Sequence, residues 1–326
     1  MELLKRINQA MQEFPEQASI VSDTYSGYKL FWMIDMAWCM VRYGARPIDY
    51  VRFEFHKKSG RERDRYLTIF RYFKLAKKLK KTLGREGDLM GHKANEYRLF
   101  SEYIKRDWMI VDAQTRESDI RSFIQKHQTV IAKPNAGEQG KGVMKILGED
   151  EEEIQKLLTV KSKAAFVLEE CLSNCAEISK INPASLNTIR ATTFVDGKGK
   201  VHILSVILRV GAPDSHVDNW GAGGIGYNFD VNTGICNCLG LDKKNKSYLM
   251  HPGSNVKMLG FEIPNYDELK RYILQIAKKE PKARYAGWDI AITPNGYDLV
   301  EMNCPAGHDM FQSFNNPAYE FIKKNW

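Results

Sequence analysis

The chain has 326 residues, 43% hydrophobic and 11% aromatic, which is ample for a core shared among two or three subdomains. Its 48 Lys and Arg against 40 Asp and Glu give a net charge of +8, with the excess before residue 110, a balance that favours anionic partners such as nucleotides, acidic sugars or lipid head groups. No nucleic-acid module is recognisable, and the cysteines at 39, 171, 175, 236, 238 and 304 lack paired zinc spacing, so reduced thiols in a cytosolic protein are expected.

Residues 1–90 read as a mostly helical, basic region. The charged, amphipathic N-terminus does not read as a secretory leader. The most apolar run, 30–41, carries Asp35 and is too short to span a bilayer. With Arg42, Arg46 and Arg52 behind it, the run could lie on a membrane surface, but base rates favour a helix packed on the main domain. A cytoplasmic location is expected, with peripheral contact at the inner face of the membrane as the alternative. Over 57–81, basic residues interleave with Leu67, Phe70, Phe73, Leu75 and Leu79, which predicts an amphipathic helix with a solvated basic face.

From residue 91 helices and strands alternate, predicting a small α+β lobe over 91–165: helix 93–105, strand 108–111, helix 115–126, strand 129–133, a glycine-rich turn, strand 142–147, helix 150–159 and a strand from 165. A larger lobe over 166–326 is dominated by strands, notably 187–195 and 201–210, with a glycine-rich loop at 221–226 and a helix at 266–279.

Strand 129–133 ends in Lys133-Pro-Asn-Ala-Gly-Glu-Gln-Gly-Lys-Gly. Gly137, Gly140 and Gly142 let backbone N–H groups turn toward an anion, and Lys133 and Lys141 add positive charge there. An ordinary hairpin turn is the plain alternative, and the role of Glu138 beside phosphates is open unless it pairs with Lys141. The next apolar strand runs into Glu169-Glu170 and then irregular chain that can offer backbone groups to a base edge.

The last hairpin is the most informative. Tyr285–Ile292 and 297–303 flank Pro-Asn-Gly, a hairpin signal. A turn centred on Asn295 places Asp289 opposite Glu301. Alternation then puts Trp288, Ile290, Ile292, Val300 and Met302 on one face and Asp289, Glu301 and Asn303 on the other. Opposed carboxylates repel, and a hard cation such as Mg²⁺ between them removes the repulsion.

The order of these features, a lysine at a helix start, strand-Lys-Pro with a glycine loop, strand-Glu-Glu and Asp…Glu-x-Asn, resembles the ATP-grasp superfamily over about 91–315. The resemblance implies an α+β ATP-grasp fold, two lobes sandwiching ATP behind a mainly helical N-terminal region. It implies that Lys93 and Lys133 contact the phosphates and that loop 137–142, with Gly137, Gly140, Lys141 and Gly142, covers them. Glu169, Glu170 and Leu172 would line the adenine, Glu177 would meet the ribose, and Asp289, Glu301 and Asn303 would hold Mg²⁺. The stretch from Arg209 to Asn219 and the following double glycine looks like the corresponding element of glutathione synthetases and ribosomal-protein glutamate ligases. It makes Arg209 and Asn219 expected catalytic residues around an acyl phosphate, and Arg190 on the neighbouring strand, beside apolar Ile189 and Ala191, joins them as a second anion-binding guanidinium, a surface strand charge being the plain alternative. Arg46-Pro-Ile-Asp-Tyr, Phe53-Glu-Phe-His-Lys-Lys-Ser-Gly-Arg-Glu-Arg, Ser185-Leu-Asn-Thr-Ile-Arg and His251-Pro-Gly are similar to sugar-transfer-associated ATP-grasp proteins, thought to act in surface polysaccharide assembly. The implied activity is amide formation between a small-molecule or glycan carboxylate and an amine. The rivals are an ATP-grasp kinase acting on a hydroxyl, and a non-catalytic glycan- or membrane-surface-binding protein.

Overall fold

The structure, a computed structural model, describes residues 2–25, 27–84, 92–136, 142–213 and 215–326. Its C-terminal three quarters form two antiparallel sheets. The smaller has the order β1 (Trp108–Val111), β4 (Phe166–Glu170), β2 (Thr129–Pro134), β3 (Met144–Leu147). Helices α7 (Glu117–His127) and α8 (Glu151–Lys161) cover one face, where alternation buries Val130, Ala132, Phe166 and Leu168 against Ile120, Ile124, Ile154 and Leu157. The other face of the same strands carries Lys133 and Glu169 toward the larger lobe. Because β4 pairs with both β1 and β2, this sheet extends past the boundary expected at 165.

The larger sheet has the order β11 (Gly296–Asn303), β10 (Tyr285–Thr293), β5 (Thr188–Val195), β6 (Val201–Val210), β7 (Ile225–Phe229), β8 (Gly240–Leu241), β9 (Ser247–Tyr248). One face packs on α10 (Tyr266–Lys279), whose Leu269, Ile273 and Ile276 meet Ile189, Ala191, Val206, Leu208, Trp288 and Ile290. The opposite face is covered at one end by α5 (Ile69–Leu83) and the C-terminal helices α11 (Met310–Ser313) and α12 (Tyr319–Asn325), through Phe194, Ile207, Tyr285, Phe311 and Ile322. Its other end carries the polar residues described below.

The hairpin reaches the expected pairing by a different route. The turn is tighter than expected: Thr293 pairs with Gly296, Ile292 with Tyr297 and Ile290 with Leu299. Continued unbroken, that register would set Val300 opposite Asp289. A bulge between the Ile290–Leu299 and Asp289–Glu301 pairs takes up Val300 and restores Asp289 opposite Glu301. Leu299, not Val300, therefore joins Trp288, Ile290, Ile292 and Met302 in the core.

The N-terminal region is helical: α1 (Glu2–Thr24), α2 (Lys29–Tyr43), α3 (Pro47–Arg52), α4 (Gly60–Asp64) and α5. The first three share a core of Val21, Met36, Cys39, Tyr50 and Phe53. The single helix expected over 57–81 is broken, because tertiary contacts claim the polar groups at the break. The Leu67 N–H donates to Gln312 and the Thr68 hydroxyl to the Tyr43 carbonyl. Leu67, Leu75 and Leu79 are buried as predicted, whereas Phe70 and Phe73 are exposed. Helix 93–105 likewise shrinks to α6 (Lys93–Leu99). Beyond it, Leu299 N–H donates to the Tyr103 carbonyl, and the N–H groups of Lys105 and Arg106 donate to Asp298, so the backbone is committed to β11. Arg52–Asp309 at 2.7 Å and Tyr66–Asn315 at 2.6 Å dock the helical region on the larger lobe.

Candidate active site

Alternation on four adjacent elements gathers the charged residues. On β10 Asp289 stands beside Arg190 of β5, its register partner, and opposite Glu301 of β11. Arg190 donates to both Asp289 oxygens, one at 2.8 Å, and Arg209 of β6 reaches the same carboxylate at 3.1 Å. Burial would raise the Asp289 carboxyl, but the two guanidiniums hold it below the usual carboxylate range. Lys93, the first residue of α6, pairs with Glu301. Asn135, just past β2, fixes this helix start: its carbonyl accepts from Lys93 N–H and its side chain from Ala94 N–H, each at 2.9 Å. The hairpin trio Asp289, Glu301 and Asn303 thus shares one end of the larger sheet with Arg190 and Arg209, and Lys93 reaches it from the start of α6.

A second ion-pair centre lies on the inner face of the smaller sheet. Lys133 and Glu169 meet at 2.7 Å. The Glu169 carboxylate also accepts from Arg106 at 2.9 Å and from Tyr97, and Lys133 and Arg106 lower its pKa against the effect of burial. Glu169 was expected along the adenine; its carboxylate is instead committed to these three partners. Arg106 also pairs with Asp298 of β11 and donates to the Leu299 carbonyl at 2.9 Å. A single fully buried guanidinium therefore pins the two sheets together.

Other expected residues fall outside these centres. The Glu170 N–H donates to the Asp107 carbonyl at 3.0 Å, so this backbone donor is already used. Leu172 is half-buried where the chain leaves β4, and Glu177 is exposed on the short helix α9 (Ala176–Ser179). Gly137, Gly140 and Lys141 lie outside the described residues. Gly142 has φ 76°, and a Cβ there would meet the Pro134 ring at 3.0 Å. Asn219 turns back into its own loop, accepting from Gly221 N–H at 2.7 Å. Its neighbour Asp218, passed over in the sequence, faces Arg209 at 3.4 Å and accepts from Thr188 N–H at 3.0 Å. A Cβ at Gly224 would sit 2.3 Å from the Asp218 carbonyl, so glycine there lets the loop fold this close. His251 is buried and bonded to the Gly211 carbonyl at 2.8 Å.

The sequence also missed Glu96, Tyr97, Arg106 and Asp298. Asp298 pairs with Ala291, two residues from Asp289 on the same strand, which puts it on the Asp289 face, whereas unbroken alternation from Glu301 would put it on the other. Arg106 had no signal in the sequence, since its carboxylate partners lie 63 and 192 residues away. Glu96 accepts from Met302 N–H, and burial pushes its carboxyl from 4.5 up to about 7, with Lys93 opposing and Glu301 reinforcing. Between those values the native state holds a proton that the unfolded chain has released. This contribution is complete below about pH 4.5 and is lost as the pH rises to about 7, by at most ~1.4 kcal/mol per pH unit. Glu96→Gln is expected to flatten that slope in urea melts over this range. An unchanged slope would place the titration elsewhere.

Asp289, Glu301 and Asn303 present the donor types that a hard cation takes, while here Arg190 and Arg209 hold the Asp289 carboxylate and Lys93 pairs with Glu301. They offer carboxylate and amide oxygens, and the Asn303 side-chain nitrogen is buried without a partner. Among the described residues no group of three or more His, Cys, Asp and Glu is arranged to hold a metal.

The profile of the sugar-transfer associated ATP-grasp family matches residues 103–320. No curated protein matches significantly. Similar solved structures include the ATP-grasp ligase PsnB complexed with minimal precursor, at 17% identity and TM-score 0.43, covering 72% of this chain and 58% of that one. D-alanine–D-alanine ligase from Bacillus anthracis is similar at 14% identity and TM-score 0.43, covering 72% and 66%. D-alanyl-alanine synthetase A from Vibrio cholerae is similar at 12% identity and TM-score 0.45, covering 72% and 63%. The chain spans less than two thirds of the length of each.

Proposed function

Because the chain belongs to the sugar-transfer associated ATP-grasp family, we propose that it is an ATP-dependent carboxylate–amine ligase acting on a sugar acid or its glycan in surface polysaccharide assembly. The observation that carries this reading is the convergence of Arg190 and Arg209, from adjacent strands, on the Asp289 carboxylate beside the Lys93–Glu301 pair. Joining an acid to a phosphoryl group brings two anions together, which needs cations at the meeting point.

In this reading Lys93 and Lys133 exchange their carboxylate partners for ATP phosphates, and Arg190 and Arg209 hold the acid, bidentately where a guanidinium faces it squarely. Asp289, Glu301 and Asn303 would hold Mg²⁺, which supplies charge neutralisation to the phosphates. The acid's oxygen attacks the γ-phosphorus and ADP leaves. The amine then attacks the carbonyl carbon of the acyl phosphate, phosphate leaves and the amine proton passes to solvent. The chain contributes positioning and electrostatics. Asn219, still proposed to close over the acid, must first release Gly221 N–H. Glu170, Leu172 and Glu177 are proposed for the nucleoside and the loop at 137–142 for the phosphates.

The deciding experiment is an ADP-release screen with Mg²⁺ across uronic acids and amines, with hydroxylamine trapping of acyl phosphate. Acid-dependent release and a trapped hydroxamate are expected. A stable phosphoester would identify the kinase instead, and no Mg²⁺-ATP binding at all would leave a non-catalytic binding protein. Lys133→Ala is expected to weaken a non-hydrolysable ATP analogue by about 10- to 100-fold in titration calorimetry. Unchanged affinity would remove Lys133 from the phosphate site.

A further inference from the structure

The apolar run in the N-terminal region forms α2, and only half of the helix is packed. Met36, Cys39 and Tyr43 are buried against α1 and α3. On the opposite face Phe31, Ile34, Trp38 and Val41 recur at helical spacing and are 58, 62, 57 and 83% exposed. The helix was expected to pack on the main domain; it packs on its N-terminal neighbours and leaves this stripe open. Such a contiguous exposed patch marks an interaction surface.

The stripe continues onto α5. A cleft of about 590 Å³ lies between the end of α2 and the start of α5, lined by Val41, Phe70 and Tyr319 and by Arg42, Arg71 and Lys74. Arg42 and Lys74 are exposed, and Arg71 lies over the Tyr319 ring at 4.1 Å. Phe70 and Phe73 add further exposed aromatic surface. The only acid on α2, Asp35, is paired with Arg63 at 2.8 Å. The charge of the whole chain is concentrated here: residues 1–84 hold 17 Lys and Arg against 9 Asp and Glu, whereas 85–326 hold 31 of each.

We propose that the face made by α2 and the first turns of α5 docks the protein on an anionic phospholipid bilayer. The stripe enters the boundary between head groups and acyl chains, and Arg42, Lys74 and the cleft between them take lipid phosphates. An apolar stripe with aromatic residues, rimmed by cations, is the composition of a helix lying in the interface plane. A free anionic glycan would leave the stripe exposed to water. A second copy would bring two regions of high positive charge together. No helix among the described residues is long and apolar enough to cross a membrane, so the contact is peripheral. The reading does not depend on the ligase proposal.

The test is flotation of the full chain with vesicles of phosphatidylcholine alone and with about 30 mol% phosphatidylglycerol. Binding to the anionic vesicles is expected, weakened by roughly 0.5 M salt. Ile34→Ser with Trp38→Ser, and separately Arg42→Glu with Lys74→Glu, should each cut binding by about tenfold or more. All four side chains are exposed, so thermal melts should match the parent. A blue shift of tryptophan emission on anionic vesicles, lost with the Trp38 change, is expected alongside. Absence of vesicle binding, equal binding to neutral vesicles, or parental binding by both variants would overturn the proposal. So would a parental dimer that Ile34→Ser with Trp38→Ser abolishes, which would assign the stripe to a second copy.

Discussion

Glu301→Ala is expected to reduce turnover by about a thousandfold while the protein stays folded. Glu301 is the partly exposed member of the opposed carboxylate pair, and Lys93 pairs with it. Its removal deletes a proposed metal ligand and relieves repulsion with Asp289, so stability should fall little. A second readout separates this from a merely structural effect. Glu301 helps to hold the Glu96 carboxyl at its raised pKa, and Lys93 opposes it. In the variant Lys93 loses its nearer partner and favours ionised Glu96. The decline of stability with rising pH should therefore still begin near pH 4.5 but end at a lower pH than in the parent. A purified variant that turns over like the parent would remove Glu301 from the site. Lost turnover with an unmoved pH dependence would break the proposed coupling through Lys93.

Arg106→Ala should produce the largest loss of stability, about 3–5 kcal/mol in urea unfolding. The guanidinium is fully buried and meets Glu169 and Asp298, themselves almost inaccessible. Deleting it leaves carboxylates away from water, Glu169 with Lys133 and Tyr97 but Asp298 without its cation. Burial already raises the Asp298 carboxyl despite Arg106. Adding Asp298→Asn should therefore recover part of the loss, because a neutral amide costs less to bury than an unpaired charge. A single variant within about 0.5 kcal/mol of the parent would show that the two sheets do not depend on this pin.

The identity and spacing of the site strands were legible because strand alternation is a local property. The Thr188–Val195, Val201–Val210 and Tyr285–Thr293 strands each carry a single Asp, Glu, Lys or Arg on a largely apolar element, Arg190, Arg209 and Asp289 respectively, away from the Phe194–Tyr285 packing. A charge in such a setting asks for a partner, and the short hairpin limits where one can be. Periodicity failed where the chain makes long-range contacts through its backbone. Helix 93–105 was predicted from spacing that β11 overrides, and helix 57–81 from spacing that Gln312 and Tyr43 interrupt.

The sequence alone determined the α+β organisation, the acidic hairpin and the lysine, arginine and carboxylate types that the ATP-grasp resemblance then assigned to a nucleotide site. Tertiary structure decided the register of that hairpin and the partner of each charge. The turn sets one pairing and the bulge at Val300 changes it, and a one-residue step moves every side chain across the sheet. Lys93 meets Glu301 across 208 residues of chain and Arg106 meets Asp298 across 192. No local period encodes such pairs, because they form only where packing brings remote parts of the chain together, and the energy of the Arg106 pair depends on its burial rather than on neighbours in the chain.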